Sequence, residues 1–320
     1  MVRNIYWAEK YRPKTLSDIC GQRSMVRIIK RLLENKEDFP HIILHGPPGT
    51  GKTTMAFVIA RELYGNNFMS FVKYVNASLE RKLENIKEIE DFARARTILD
   101  SPVRFKLIIL DEADYLAPLS QPSLRSLMEN LADNCKFIIT CNYPNRIIPA
   151  IRSRATEIAV RRATPKAIEQ MIDRVVAGEN ITGMDDSIKK MLVRYANGDF
   201  RRLINALQAA TVNGEINRKS VADVTSMMDK RSLARIFKVL NEKGVEESIK
   251  LVQEYMRRGI LPESVLDAAF ELCMERGLFG TDKSMELLRL FAEAAGKLTS
   301  GVHGPIVVPW FIIELNKLLG

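Results

Sequence analysis

Lys52 stands in the stretch HGPPGTGKTT (45–54), where glycines precede a lysine and hydroxyls follow it. Gly46, Gly51, Lys52 and Thr53 satisfy the spacing G-x-x-x-x-G-K-[ST], while Pro47, Pro48, Gly49 and Thr50 fill it and Thr54 extends it. That pattern suits phosphate. Glycines let the backbone turn with its N–H groups aimed inward at phosphate oxygens, and a helix start adds partial positive charge. Lys52 then reaches the terminal phosphates, and the Thr53 hydroxyl can ligate Mg²⁺. The stretch is read as a nucleotide site.

Three further clusters could act on the same ligand. In LIILDEAD (107–114), Asp111 and Glu112 close an apolar run, where open α/β sheets place their ligands. Asp111 is expected to hold Mg²⁺, directly or through water, and Glu112 to orient and deprotonate the attacking water. Asn142 ends FIITCN (137–142) and would lie near a γ-phosphate, although an Asn closing a strand is also an ordinary turn residue. In NGDFRRLINALQ (197–208), Asp199 is a good N-cap, yet Arg201 and Arg202 follow where the helix dipole disfavours cations. Either an anion lies nearby or two exposed arginines are tolerated. Arg154, in PAIRSRATEI (149–158), poses the same choice.

Positioning these groups requires a layered scaffold. HIILH (41–45), FVKYVN (71–76), FKLIIL (105–110), KFIITC (136–141) and EIAV (157–160) read as strands. Helical periods at 52–64, 83–96, 122–131 and 146–152 separate them. Near-continuous apolar strands alternating with helices predict a parallel sheet covered on both faces. After residue 163 the strand signal stops, and Thr164 with Pro165 marks a helix start. Helical periods follow at 185–196, 199–212 and 218–228, then at 231–242, 245–257, 262–275, 283–298 and 308–319. Three segments result: an α/β nucleotide-binding part (1–162), a small all-α part (163–228) and a further helical part (229–320).

The bulk composition narrows the class. Of 320 residues, 46% are hydrophobic and 27% charged, ordinary values for a globular protein. No apolar run approaches the ~18 residues of a membrane helix, and the N-terminus lacks the apolar core of a signal peptide. The four cysteines show neither C-x-x-C spacing nor framework density, so reduced thiols in an intracellular protein are expected. A net charge of +9 suits an electrostatic partner such as nucleic acid.

Taken together, WAEKYRP with GQ, GPPGTGKTT, VNAS, LDEAD, TCNY, IRSRA and GDFRRLINALQ resemble the AAA+ ATPases. Among these they are most similar to the small subunits of replication factor C, the archaeal and eukaryotic clamp loaders, and lean toward the archaeal ones. The resemblance covers most of the chain. It implies a five-stranded parallel sheet of order 5-1-4-3-2, a three-helix lid (163–228) and a helical collar (229–320) through which subunits form a ring. ATP with Mg²⁺ would sit between the α/β part and the lid, bordered at the adenine by Tyr11, Arg12 and Pro13, with Ile19 and Gln22 nearby. Asn142 takes the place of sensor 1 and Arg201 that of sensor 2. Arg154, in the S-R-C position, would be an arginine finger acting on the neighbouring subunit's γ-phosphate. Such a finger supplied in trans contributes ~10³–10⁵ in rate in GTPases, making hydrolysis conditional on assembly.

The implied partners are a large subunit and further small subunits in a hetero-oligomeric, pentameric ring, a sliding clamp, and primer–template DNA, with no membrane. Cytoplasm, at the nucleoid, is the implied location, or the nucleus in a eukaryote. Arg81, Lys82 and Lys87 after VNAS, and Arg125 after DEAD, occupy DNA-facing positions, where a solvated helix face is the alternative. RTILDSP (96–102), with Ile98 and Leu99, occupies the clamp-facing edge. The chain also departs from its relatives. Ala155 replaces the usual cysteine, NASLERKLENI departs from N-A-S-D-E-R-G, and SLRSLME carries one arginine where two are common. These changes leave open a divergent second type of small subunit. Two other readings compete. A helicase or branch-migration motor would need a translocation element, and a non-catalytic scaffold should lack Lys52 or Glu112, both of which are present.

Overall fold

The computed structural model describes residues 6–79, 86–95, 103–228, 230–275, 277–280 and 282–319. Arg81, Lys82 and the segment 96–102 lie outside the described residues, as does the side chain of Lys87. Two compact units divide the chain, residues 1–181 with 189–208 and residues 182–188 with 209–320.

In the first unit, α1 (Trp7–Lys10) and α2 (Arg23–Glu34) precede β1 (His41–His45), which α3 (Lys52–Tyr64) follows. Next come β2 (Val72–Asn76), α4 (Ile86–Arg94), β3 (Lys106–Asp111) and α5 (Gln121–Asn130). After them run β4 (Cys135–Cys141), α6 (Pro149–Arg152), β5 (Ala155–Ala159) and α7 (Pro165–Glu179). All strand pairings are parallel, and the order is β2-β3-β4-β1-β5, as the resemblance implied.

Side-chain alternation makes one sheet serve two cores. Ile42 and Leu44 of β1 and Leu107 and Ile109 of β3 face a cluster that includes Met25 and Ile29 of α2 and Met55 and Ile59 of α3. The intervening Ile43, Ile108 and Leu110 face the opposite cluster, with Ile89 of α4, Leu124 and Leu127 of α5, and Ile151 of α6. The inner strands β1, β3 and β4, buried on both faces, are apolar at most positions, whereas the edge strands β2 and β5 expose part of theirs. β4 lies between β1 and β3, so the carboxyl ends of three adjacent strands open onto one place. From these ends leave the glycine-rich loop, Asn142 and the Asp111–Glu112 pair.

Helices α8 (Asp186–Ala196) and α9 (Phe200–Ala210) straddle the division between units. The second unit contains α10 (Arg218–Thr225), α11 (Lys230–Lys243), α12 (Val245–Arg257), α13 (Pro262–Glu275), α14 (Ser284–Thr299) and α15 (Gly304–Leu319). Leu233, Val265, Leu287, Val308, Phe311 and Leu315 are among its core residues. The apolar C-terminal stretch thus buries its side chains inside this unit, and no helix among the described residues is long and apolar enough to cross a membrane.

Some helix ends differ from the pattern reading. α9 stops at Ala210 because Val212 and Glu215 exchange backbone hydrogen bonds of 2.9 and 3.0 Å across Asn213–Gly214, both at positive φ. Asn-Gly is the usual pair for such a turn. α10 stops at Thr225, where Ser226 at φ 52° turns its N–H onto the Ala222 carbonyl. α15 starts at Gly304, ahead of the expected 308, since Pro305 in the first turn has no amide to leave unpaired. α6 shrinks to four residues behind a 3₁₀ turn, Pro144–Arg146. No disulfide forms among the described residues, and Cys135, Cys141 and Cys273 are buried.

Candidate nucleotide site

The loop after β1 is shaped by positive φ angles at Gly49 (73°) and Gly51 (95°). Gly49 is required for a second reason: a Cβ there would lie 2.0 Å from the Asp199 carboxyl. Asp199 caps α9 by accepting from the Arg202 N–H at 2.9 Å, and the Phe200 N–H donates to the Gly49 carbonyl at 3.2 Å. The start of α9 is therefore anchored on the loop itself.

Lys52 is buried, and its ammonium donates to three oxygens: Gly46 O and Pro47 O at 2.8 Å, and Asn142 Oδ1 at 2.7 Å. Burial pushes its pKa below the usual lysine value, opposed by Cys141 and by the carboxylates of Asp114, Asp111 and Glu112. All three ammonium hydrogens are satisfied by neutral oxygens. A phosphate oxygen replacing one of them would form the stronger, charge-assisted bond.

Asp111 is the most heavily bonded carboxylate of the site. Its Oδ1 accepts from Thr53 Oγ1 at 2.8 Å and from Thr140 Oγ1 at 2.5 Å, and its Oδ2 from the Tyr74 hydroxyl at 2.9 Å. Thr140 Oγ1 also accepts the Glu112 N–H at 3.1 Å, holding Glu112 at φ 55°, a conformation unusual outside glycine. A strained backbone at the predicted base fits a side chain aimed by its surroundings. Thr53 and Asp111 bring two hard oxygen donors together, the donor type Mg²⁺ selects.

One cavity gathers these groups. A cleft open to solvent is lined by Lys52, Thr53, Asp111, Glu112 and Asn142. Pro48, Gly49, Thr50, Gly51 and Thr54 complete that wall, while Gly46 and Pro47 act behind it through their carbonyls on Lys52. Tyr11, Arg12, Pro13, Ile19 and Gln22 also line the cleft. Tyr11 donates to Glu179 Oε1 at 2.8 Å, and a Cβ on Gly178 would come within 2.2 Å of its hydroxyl. Burial, followed by Glu179, pushes the Tyr11 pKa up to about 12. Gln22 hydrogen-bonds the Arg161 carbonyl, and Arg12 pairs with Glu9 at 2.8 Å.

The two misplaced arginines of α9 part ways. Arg201 lines the cavity, whereas Arg202 stacks 4.1 Å from the Tyr195 ring centroid. Arg154 is not among the lining residues. Its Nη1 donates to Ala150 O at 2.7 Å, and its Nη2 pairs with Glu129, which also accepts from Arg125 Nε at 3.1 Å. Arg152, its near neighbour, pairs with Glu157 through two bonds of 2.9 Å. The sequence reading missed Tyr74, Thr140, Glu179 and Glu129. A hydroxyl inside an otherwise apolar strand was the available signal for Thr140; the other three depend on distant elements meeting.

The fold and the cavity together define a P-loop ATPase. Residues 42–163 match the family model described as "ATPase family associated with various cellular activities (AAA)". Over 315 residues the chain is 31% identical to the replication factor C small subunit of Archaeoglobus fulgidus, covering 98% of this chain and 97% of that relative. The small subunit from Thermoplasma volcanium is 30% identical over 313 residues, with the same two coverages of 98% and 97%. Replication factor C subunit 3 of Saccharomyces cerevisiae is 37% identical over 207 residues, covering 64% of this chain and 60% of its own. The chain belongs to the replication factor C small-subunit family, a nucleotide-binding AAA+ clamp-loader family of DNA replication. Among solved structures, the Thermotoga maritima RuvB Holliday junction branch migration motor superposes with a TM-score of 0.55 at 19% identity. That likeness covers 81% of this chain and 91% of RuvB, and it speaks to the fold alone.

Proposed function

We propose that this chain is a clamp-loader subunit that binds ATP with Mg²⁺ and uses its hydrolysis to place a sliding clamp on primer–template DNA. The observation carrying the reading is the near end-to-end match to small subunits, joined to a cavity in which Lys52 donates to Asn142 and Thr53 donates to Asp111. Lys52 and Thr53 hold the phosphates and Asn142 steers the γ-phosphate end. Glu112 takes the proton of the attacking water, and Arg201 reads the phosphates from α9. Mg²⁺, held by Thr53 and Asp111, supplies charge neutralisation when bound. Tyr11, Arg12, Pro13, Ile19 and Gln22 enclose the base.

Residues 163–228 serve as the lid and 229–320 as the collar of a hetero-oligomeric, pentameric ring containing a large subunit and further small subunits. Arg154 completes the neighbour's site, so the lone chain turns over slowly. Arg125 and the 81–87 segment contact DNA phosphates, and residues 96–102 meet the clamp. The location is cytoplasmic at the nucleoid, or nuclear in a eukaryote. Steady-state ATP hydrolysis tests this reading when measured on the chain alone, with its large subunit, and with clamp and primed DNA added. Stepwise stimulation is expected; a rate indifferent to all three additions overturns it.

A further inference from the structure

Arg154 and Arg125 come from different elements yet meet on one atom. Arg125 Nε, on α5, donates to Glu129 Oε1 at 3.1 Å, one turn along the same helix. Arg154, in the turn between α6 and β5, pairs with that same Oε1 through Nη2. Its Nη1 is spoken for by Ala150 O at 2.7 Å and by Ser153 Oγ at 3.4 Å. Hydrogen bonding from Arg125, reinforced by the charge of Arg154, holds the Glu129 carboxyl below the usual glutamate range. One carboxylate thus orients two guanidinium groups while cancelling the charge of one.

Sharing of this kind makes the two contacts interdependent. Each guanidinium weakens the other's hold on Oε1 by like-charge repulsion at close range. An anion that draws Arg125 outward leaves Glu129 wholly to Arg154 and fixes that guanidinium more tightly. A DNA phosphate is such an anion if Arg125 faces the duplex. All three side chains are exposed, at 47% for Arg125, 36% for Glu129 and 34% for Arg154, so solvent weakens each pairing and leaves the triangle easily shifted by a new anion.

We infer that Glu129 is a positioning residue that transmits phosphate contact at Arg125 to the orientation of Arg154. This deepens the proposed function and rests on its assignment of Arg154 to a neighbouring nucleotide and of Arg125 to DNA. Glu129 touches no reacting atom. It acts by holding the finger, and DNA occupancy changes how firmly it does so.

The test uses the assembled loader with its clamp, comparing turnover with and without primed DNA for wild type, Glu129→Gln, Arg125→Ala and the double variant. Glu129→Gln is expected to lower the ratio of DNA-stimulated to unstimulated turnover about threefold, an interaction of the size found between exposed contacting charges. Nucleotide affinity, read by fluorescent ATP analogue, should hold. The double variant should fall no further than the worse single variant, and Glu129→Asp should restore part of the ratio. Additive losses, or an undiminished ratio in Glu129→Gln, overturn the inference. A parallel Arg154→Ala complex separates the two layers. If its turnover is normal, the finger assignment itself fails; if its turnover collapses while Glu129→Gln keeps full stimulation, only the Glu129 link fails.

Discussion

In the cleft the side chains of Lys52, Asp111 and Thr140 are buried and bonded from several elements at once, whereas Arg125 and Arg154 are exposed and share one carboxylate. Lys52 draws on the loop after β1 and on the end of β4, and Asp111 draws on α3, β2 and β4. Among the described residues Arg154 pairs with one charged side chain, Glu129, beside a local carbonyl. In the first region low dielectric makes each unmade bond costly, so the groups arrive pre-oriented. In the second, water competes and the geometry can change with little loss. Rigid preparation suits the phosphate site, and adjustable pairing suits a side chain that works on another molecule.

The sharpest break of this contrast is Glu112→Gln. The amide keeps the shape but cannot take a proton, so single-turnover hydrolysis in the assembled loader should fall ~10²–10⁴-fold. Nucleotide affinity measured on the same protein should stay within about twofold, since one neutral-for-charged swap at the base touches no phosphate. Equal loss of both would place Glu112 among the binding groups instead.

A smaller effect comes from burial at the other end of β1. His41 is 8% exposed, and burial, then the nearby Lys136 charge, pulls its pKa to about 4 from the usual 6.5. The unfolded chain therefore takes up a proton below about pH 6.5, while the folded chain does so only near 4. Stability is full above pH 6.5 and declines as the pH falls toward 4, by up to roughly 3 kcal/mol. Urea unfolding at pH 7.5 and at pH 5 checks the sign. His41→Asn should flatten that slope.

Smallest of all should be Arg152→Ala. Despite its two bonds to Glu157, Arg152 is an exposed partner, and removing it should leave folding stability nearly unchanged. A thermal melt at low and high salt would register it. A loss rivalling that at His41 would dissolve the distinction between the two kinds of region.

Most of the scaffold could be read in advance because each strand is apolar at successive positions and each helix periodic. The five strands run within two residues of their expected ends at His41–His45, Val72–Asn76, Lys106–Asp111, Cys135–Cys141 and Ala155–Ala159. Of the clefts, the phosphate end was legible because its residues are consecutive: a loop that wraps an anion with backbone N–H groups must be local. Helix ends at Ala210 and Thr225 were less so, since the Asn213–Gly214 turn and the left-handed Ser226 override a periodic pattern that continues past them.

Spacing along the chain, by itself, determined the glycine-rich loop, the acidic pair and the helix cap at Asp199, because each is satisfied by neighbours a few residues away. Only the tertiary structure decided that Tyr74 and Thr140 converge on Asp111, that Glu179 braces Tyr11, that Arg201 rather than Arg202 enters the cavity, and that Glu129 holds Arg154. Those pairings join residues 25 positions apart (Glu129 to Arg154) to 168 apart (Tyr11 to Glu179), or choose between adjacent ones by the direction each side chain leaves its helix. No local pattern encodes such directions. They follow from which strands lie side by side and from how each helix is rotated to bury its apolar face.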